Sequence, residues 1–405
     1  NTIWGQRGNF VDVPTDCPQR DERLGWTGDA QIFIKTAALN YQVDAFFEKW
    51  LTDLRLEQTI EQGVPIVVPN VIDEYSRSAW SDAATICPWE IYLSYGDKRL
   101  LEHQYESMKE YVEYIRRQGE NEYLWNTGEH YGDWLALDAK EGEYIGRTAK
   151  DFISTIFYAH STRLVVKAAQ VLGKSSDVQH FQQLFNHIYE EFNREFVTPN
   201  GRLSEDTQTA YVLALHFHMI ENRDRAVQRL VKLIEENGNR LTTGFVGTPY
   251  LCHVLADNGQ LALAYSLVLQ TEFPSWLYSV RQGATTIWEH WDGIKPDGTF
   301  WSSEMNSFNH YAYGCIVDWL YTKSAGIQYD ESAPGYRKII FKPMPDPRLS
   351  FVKAQVDTPC GIVKMFWEYE GEQVHYQVEI PPNATAVFIW PDGNEKKLQS
   401  GKYKL

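Results

Sequence analysis

The chain has 405 residues, 43% hydrophobic and 23% charged, which is globular composition and excludes disorder and collagen-like repeats. That length exceeds one ordinary domain and allows a large core with an appendage. A net charge of −16, with no basic cluster, argues against binding to phosphate backbones, and no apolar run approaches a bilayer span.

The first dense feature is the run Thr15 to Asp29, which packs Asp16, Asp21, Glu22 and Asp29 beside Arg20 and Arg23. It reads either as a solvated loop of local ion pairs or as a shaped site; Pro18, Gly25, Gly28 and Trp26 favour the second. From there, apolar residues at helical spacing predict eleven helices: 28–39, 44–62, 82–95, 98–118, 150–171, 176–196, 207–218, 222–236, 248–257, 260–270 and 310–321. Loops 63–77, 119–143 and 274–308 are rich in Gly, Pro and Trp, and long loops in a compact domain are commonly functional. Antiparallel helix pairs repeated in this way close into a toroid or stack into an open solenoid. The lack of a self-similar repeat weighs against the solenoid.

Near Ala333-Pro334-Gly335 the pattern changes to period two. Val363, Met365, Trp367 and Tyr369 alternate in one run, and Val374, Tyr376, Val378 and Ile380 in the next, with turns at 370–372 and 381–383. Residues 334–405 are therefore expected to form a small antiparallel β-sandwich after an α domain spanning 1–333. Five widely spaced cysteines fit reduced, packed thiols. A cytoplasmic location is the expectation, with periplasmic or secreted placement open because the chain opens without an initiator Met.

Aromatic residues reach 14%, including 14 Trp and 24 Tyr, enough for a large core or for a cleft that stacks on flat ligands. A second carboxylate candidate, Glu289, lies between Trp288 and His290. It is read as either a rim glutamate or a group presented to a sugar beside a stacking surface. Two carboxylates from distant segments meeting across a cleft suit inverting glycoside hydrolysis, in which one protonates the leaving oxygen and the other activates water.

The run Asp16-Cys-Pro-Gln-Arg-Asp-Glu-Arg-Leu-Gly-Trp-Thr-Gly-Asp-Ala-Gln31 resembles the signature of the bacterial α-L-rhamnosidases of glycoside hydrolase family 78. Trp80-Ser-Asp-Ala83 with Pro88-Trp89, Tyr131-Gly-Asp-Trp134, Asp206-Thr-Gln-Thr209, Thr286-Ile-Trp-Glu-His-Trp and Ser307-Phe-Asn-His-Tyr-Ala-Tyr-Gly314 are similar to its later motifs, in order. The first motif is the specific one; the short ones would be weak alone. The resemblance implies an (α/α)6 barrel and hydrolysis of terminal α-L-rhamnose with inversion; no cofactor or metal is expected, with a carboxylate-bound Ca²⁺ left open because no EF-hand-like run supports one. It implies Glu22 as general acid and Glu289 as general base. Asp16, Arg20 and Asp29 would hold rhamnose hydroxyls, Trp26, Trp80 and Trp134 would form an apolar wall, and His310 would sit beside the sugar. Arg20 is expected to pair mainly with Asp16 or the substrate, because pairing with Glu22 would hold the acid ionised. Partners are then rhamnose-containing glycosides, not nucleic acid or membrane. Family members carry β domains and a first barrel helix ahead of the signature. This chain is expected to lack most of that helix, which leaves a seam where a homodimer could form. Other readings are a glycosidase for another deoxy sugar, a non-catalytic carbohydrate-binding protein, and a lyase using Tyr311 and His310.

Overall fold

The computed structural model describes residues 1–405. Thirteen α-helices come first: α1 (Thr2–Asn9), α2 (Thr27–Asn40), α3 (Asp44–Glu57), α4 (Ala83–Tyr95), α5 (Lys98–Arg116), α6 (Lys150–Leu172), α7 (Ser175–Phe196), α8 (Gln208–His216), α9 (Arg223–Glu236), α10 (Thr248–Asp257), α11 (Leu261–Val268), α12 (Trp276–Arg281) and α13 (Ile316–Trp319). A 3-10 turn, Tyr311–Cys315, leads into α13, and a π turn, Leu320–Ser324, follows it.

Burial pattern sorts the helices into two layers. In α4 nearly every side chain is buried, whereas α5 buries one stripe: Leu100, Leu101, Tyr105, Met108, Tyr111, Val112 and Ile115. A helix apolar all round belongs inside and an amphipathic one outside. The contacts agree: α2 touches α4, α4 touches α6, α6 touches α8, α8 touches α10, α10 touches α13, and α13 returns to α2. Six inner elements thus close a ring, and α1, α3, α5, α7, α9 and α11 lie outside it. This is the expected toroid of helical hairpins. Side-chain caps from Asp97, Thr207, Asn222 and Ser275 start α5, α8, α9 and α12, and left-handed Gly96 and Gly173 stop α4 and α6.

Two helices escape the periodicity reading. In α1 two glycines dilute the apolar pattern; its buried residues are Gly5, Gln6 and Asn9. It packs closely on the 3-10 turn, where a Cβ at Gly314 would stand 2.6 Å from Thr2 Cγ2 and 2.9 Å from Phe33 Cε2. Ile3, Trp4 and Val11 remain exposed on this side. The other, α12, has only six residues. Helix α3 ends at Glu57 rather than 62, because Thr59 and Gly63 pair backbone to backbone in a tight turn. No helix is long and apolar enough to cross a membrane.

The C-terminal strands are β1 (Ile327–Tyr329), β2 (Lys338–Phe341), β3 (Phe351–Thr358), β4 (Gly361–Glu370), β5 (Gln373–Ile380), β6 (Thr385–Ile389), β7 (Glu395–Leu398) and β8 (Gly401–Lys404). They form two sheets, β1-β2-β6-β7 and β3-β4-β5-β8. The first strand precedes the Ala333-Pro334-Gly335 turn, which joins β1 to β2 and is not the junction with the helices. One pair, β2 with β6, is parallel where only antiparallel pairing is expected. Val363, Met365, Trp367, Tyr376, Val378 and Ile380 face the core as their alternation predicts. The Trp367 indole donates to Ser324 O at 2.8 Å, tying the sandwich to the last turn of the barrel. All five cysteines are unpaired, and four are buried.

The close contact at Gly314 gives a direct test of how α1 is seated. Gly314→Ala should destabilise the chain by about 1–3 kcal/mol, the usual cost of overpacking. Urea unfolding followed by circular dichroism reads this as a lower midpoint at constant slope; an unchanged midpoint would show that α1 is not held there.

Candidate active site

Several inner elements bring residues at or ahead of their N-terminal ends to one site. Asp29 lies in the first turn of α2, Trp80 just before α4, and Tyr131 and Trp134 in the connection leading to α6. Phe245 precedes α10, and His310 precedes the 3-10 turn. Asp29 thus lies at the positive end of α2. A cavity of about 200 Å³ opens there, lined by Asp16, Arg20, Glu22, Trp26, Asp29, Trp80, Trp134, Glu289 and His310, together with Tyr131, Phe245 and Met305. The nine residues singled out in the sequence thus meet in one place.

Arg20 stands between the two candidate catalytic carboxylates. Its guanidinium binds Glu22 through Nε at 3.0 Å and through a shorter Nη2 contact, and its Nη1 donates to Glu289 Oε2 at 3.1 Å. The pairing expected with Asp16 is absent. Asp16 has turned away and accepts the Leu24 amide at 2.8 Å, because its backbone is folded against Leu24 in the same loop. Burial raises the Glu22 carboxyl, but the hydrogen bond and charge of Arg20, with the Trp26 indole at 2.9 Å, hold it below the usual glutamate range. In the ligand-free pocket Glu22 is therefore ionised.

The opposite wall is drier. Glu289 is 3% exposed and His310 4%. Burial alone would lower the His310 pKa, yet the charges of Glu289 and Asp29 and the 2.7 Å bond from Nε2 to Asp29 push it well above the ordinary histidine value. The protonated ring is favoured there; its Nδ1 makes no hydrogen bond, and Glu289 Oε2 stands 3.9 Å away. The Asp16 Oδ2 atom is also buried and unpartnered. Burial and the neighbouring charges of Asp29 and Glu22 raise the Asp16 pKa to about 7, against the lowering effect of His310. Both residues line the cavity, but these two atoms are themselves closed off from solvent, an exception to the rule that buried polar atoms are paired.

The apolar wall is built around Tyr131, whose ring touches Trp26, Trp80 and Trp134 at centroid distances of 6.0, 4.9 and 6.0 Å. Gly28 is required beneath Trp80, since a Cβ there would fall 2.5 Å from the indole Nε1. Asp133 fixes the far side. Fully buried, it accepts from Thr209 Oγ1 at 2.5 Å and from the amides of Gly244, Val246 and Gly247 at 2.8, 2.8 and 3.2 Å. That anchors the loop carrying Phe245, whose amide in turn donates to Trp134 O at 2.9 Å. Of the residues that sequence reasoning missed, Tyr131 lies inside a quoted motif. Phe245 and Met305 carry no local signal. No group of three or more His, Cys, Asp or Glu is placed to hold a metal ion.

Comparison with known proteins places this arrangement. The family model of the bacterial alpha-L-rhamnosidase 6 hairpin glycosidase domain matches residues 1–323, and that of the bacterial alpha-L-rhamnosidase C-terminal domain matches 326–404. The chain belongs to the bacterial α-L-rhamnosidase family. An alpha-L-rhamnosidase of Formosa agariphila is 40% identical over 98% of this chain and 43% of its own length. The crystal structure of Streptomyces avermitilis alpha-L-rhamnosidase complexed with L-rhamnose aligns with a TM-score of 0.94 and 38% identity, over 100% of this chain and 40% of that one. The native enzyme from Aspergillus terreus aligns with a TM-score of 0.95 and 35% identity, over 100% and 48%. The chain thus spans about two fifths of the length of the curated relatives it matches.

Within this rhamnosidase fold the raised Asp16 pKa has a stability consequence. An aspartate that loses its proton near 4 when unfolded and near 7 when folded binds the proton more tightly in the native state. Its contribution is fully present below about pH 4 and is lost as pH rises through about 7. Asp82 and Asp133, each raised to about 6 by burial, act in the same direction. Urea midpoints measured from pH 4 to 8 should therefore fall less steeply in Asp16→Asn than in the parent chain; parallel curves would refute the shift.

Proposed function

We propose that this chain carries the catalytic chemistry of a hydrolase that removes terminal α-L-rhamnose from glycosides with inversion at the anomeric carbon. The observation that supports this reading best is a single guanidinium spanning Glu22 and Glu289 in a monosaccharide-sized cavity walled by three tryptophans. Two carboxylates facing each other across one arginine head group, and not touching, suit inversion, which needs roughly 6.5–9.5 Å between them to admit a water. Glu289 lies on the dry floor beside His310, as a base that activates water. Glu22, its side chain 28% exposed, lies towards the mouth, where a leaving oxygen would be protonated.

The remaining side chains suit the sugar. Rhamnose is a 6-deoxy hexose, so its methyl group favours the Trp26, Trp80 and Trp134 wall while its hydroxyls need charged partners. Asp16, Arg20, Asp29 and His310 line the cavity and are the charged side chains that would meet them. Arg20 has to let go of Glu22 for the acid to work. In this reading it turns to a substrate hydroxyl or to Glu289 when the sugar displaces water, and Glu22 regains a proton as its cation leaves.

Glu22→Gln should lower turnover of an alkyl rhamnoside by about 10²–10⁴-fold, the usual worth of general acid catalysis. A para-nitrophenyl leaving group, which departs without a proton, should recover much of that loss. Equal losses on both substrates would remove Glu22 from the acid role.

A further inference from the structure

The β-sandwich carries a second hollow that shares no residue with the catalytic pocket. Its volume is about 930 Å³, more than four times that of the pocket, and its floor is one face of the β3-β4-β5-β8 sheet. Alternate residues of these strands enter the core, as Val356, Val363, Trp367 and Val378 do, so the residues between them form the opposite face. Register lays that face out in rows. Lys353, Phe366, Gln377 and Lys404 stand side by side across all four strands. Gln355, Lys364, Glu379 and Lys402 form the next row. Three interstrand gaps make each row about 14 Å long.

The charge of this face is opposite to that of the protein. The hollow is lined by four lysines and two glutamates, Glu368 and Glu379, in a chain whose net charge is −16. Lys364 and Lys402 both reach Glu379, at 3.0 and 3.5 Å. Lys353 and Lys404, at the two ends of one row, are exposed and enter no ion pair. Between them lie the Gln377 amide and the partly buried Phe366 ring, and the Phe351 ring, 58% exposed, stands 6.3 Å from Phe366. Amides pair with hydroxyls, and aromatic surface accepts the C–H face of a pyranose. A protein partner fits poorly, because interface cores are depleted in lysine and glutamate. A nucleic acid fits no better: an excess of two positive charges falls short of the roughly 6–10 phosphate contacts such binding uses.

We propose that this face binds a glycan chain bearing carboxylates, a polyuronate, with Lys353 and Lys404 meeting two of its acid groups and Phe366 and Gln377 meeting a sugar ring between them. The hollow has room for several sugar residues where the barrel pocket has room for one. The choice of a glycan rests on the proposed hydrolysis, which would bring such chains to the protein; the binding is measured without turnover.

Biolayer interferometry of the purified chain on three immobilised polymers tests this: polygalacturonate, its fully methyl-esterified form, and poly-L-glutamate. The parent chain should bind polygalacturonate well above the other two, and less tightly as salt is raised. Reversing both unpaired charges, with Lys353→Glu and Lys404→Glu together, should lower that affinity about tenfold or more. The double replacement by Arg should stay close to the parent, and both variants should keep its thermal midpoint, because the two side chains are exposed. No binding of polygalacturonate overturns the proposal, as does binding that charge reversal leaves unchanged. Equal binding of poly-L-glutamate shows a face that reads charge without sugar, and equal binding of the esterified polymer shows that the lysines read nothing; either result overturns it too. Failure of the same chain to hydrolyse rhamnosides would remove the hydrolase reading while leaving these affinities as measured, so the two failures are told apart.

Discussion

Four carboxylates, Asp16, Glu22, Asp29 and Glu289, face one cavity of about 200 Å³, and Arg20 is the cation that lets two of them coexist there. Like charges brought this close repel strongly in a low-dielectric site unless a partner is interposed or a proton is retained. Each remedy is visible. Arg20 bridges Glu22 and Glu289, the His310 imidazolium faces Asp29, and Asp16 holds its proton to about pH 7. In the proposed reaction, a sugar that competes for Arg20 would change the protonation of Glu22.

The barrel makes this crowding affordable. Helix α2 brings Asp29 to the site in its first turn, and Trp80 and Phe245 come from just before α4 and α10, so site residues sit at or near the positive N-terminal ends of these helices. The scaffold also spends buried polar groups on position. Asp133 ties the loop of Phe245 to the Tyr131–Trp134 turn through three hydrogen bonds and takes a fourth from Thr209 of α8, and Leu135, next to that turn, is held in a left-handed conformation at φ 56°. Strain of that kind persists only where the surroundings over-determine the backbone, and here it shapes the wall on which a sugar would lie.

Much of this was legible in the sequence, for physical reasons that also explain the rest. The outer helices follow their apolar stripes, and β4 and β5 follow their alternation, because in both cases one face is buried and the other wet. Asp16, Arg20, Glu22, Trp26 and Asp29 were legible because they share one long, specific run, while Trp80, Trp134, Glu289 and His310 came from shorter motifs that gain weight only from their order. What escaped depends on tertiary partners. Helix α1 buries Gly5, Gln6 and Asn9, and no apolar periodicity marks such a face. Phe245 reaches the cavity only because Asp133, more than a hundred residues earlier, pins its loop. The partner of Arg20 was misjudged because loop geometry, invisible in composition, turns Asp16 towards the Leu24 amide.

The stereochemistry of the product tests the account most directly. Proton NMR of α-L-rhamnoside hydrolysis, read in the first minutes before mutarotation, should show β-rhamnose appearing first, as water delivered by Glu289 attacks the face opposite the leaving group. If α-rhamnose appears first, the anomeric centre has been attacked twice, and the division of labour between Glu22 and Glu289 across Arg20 is wrong.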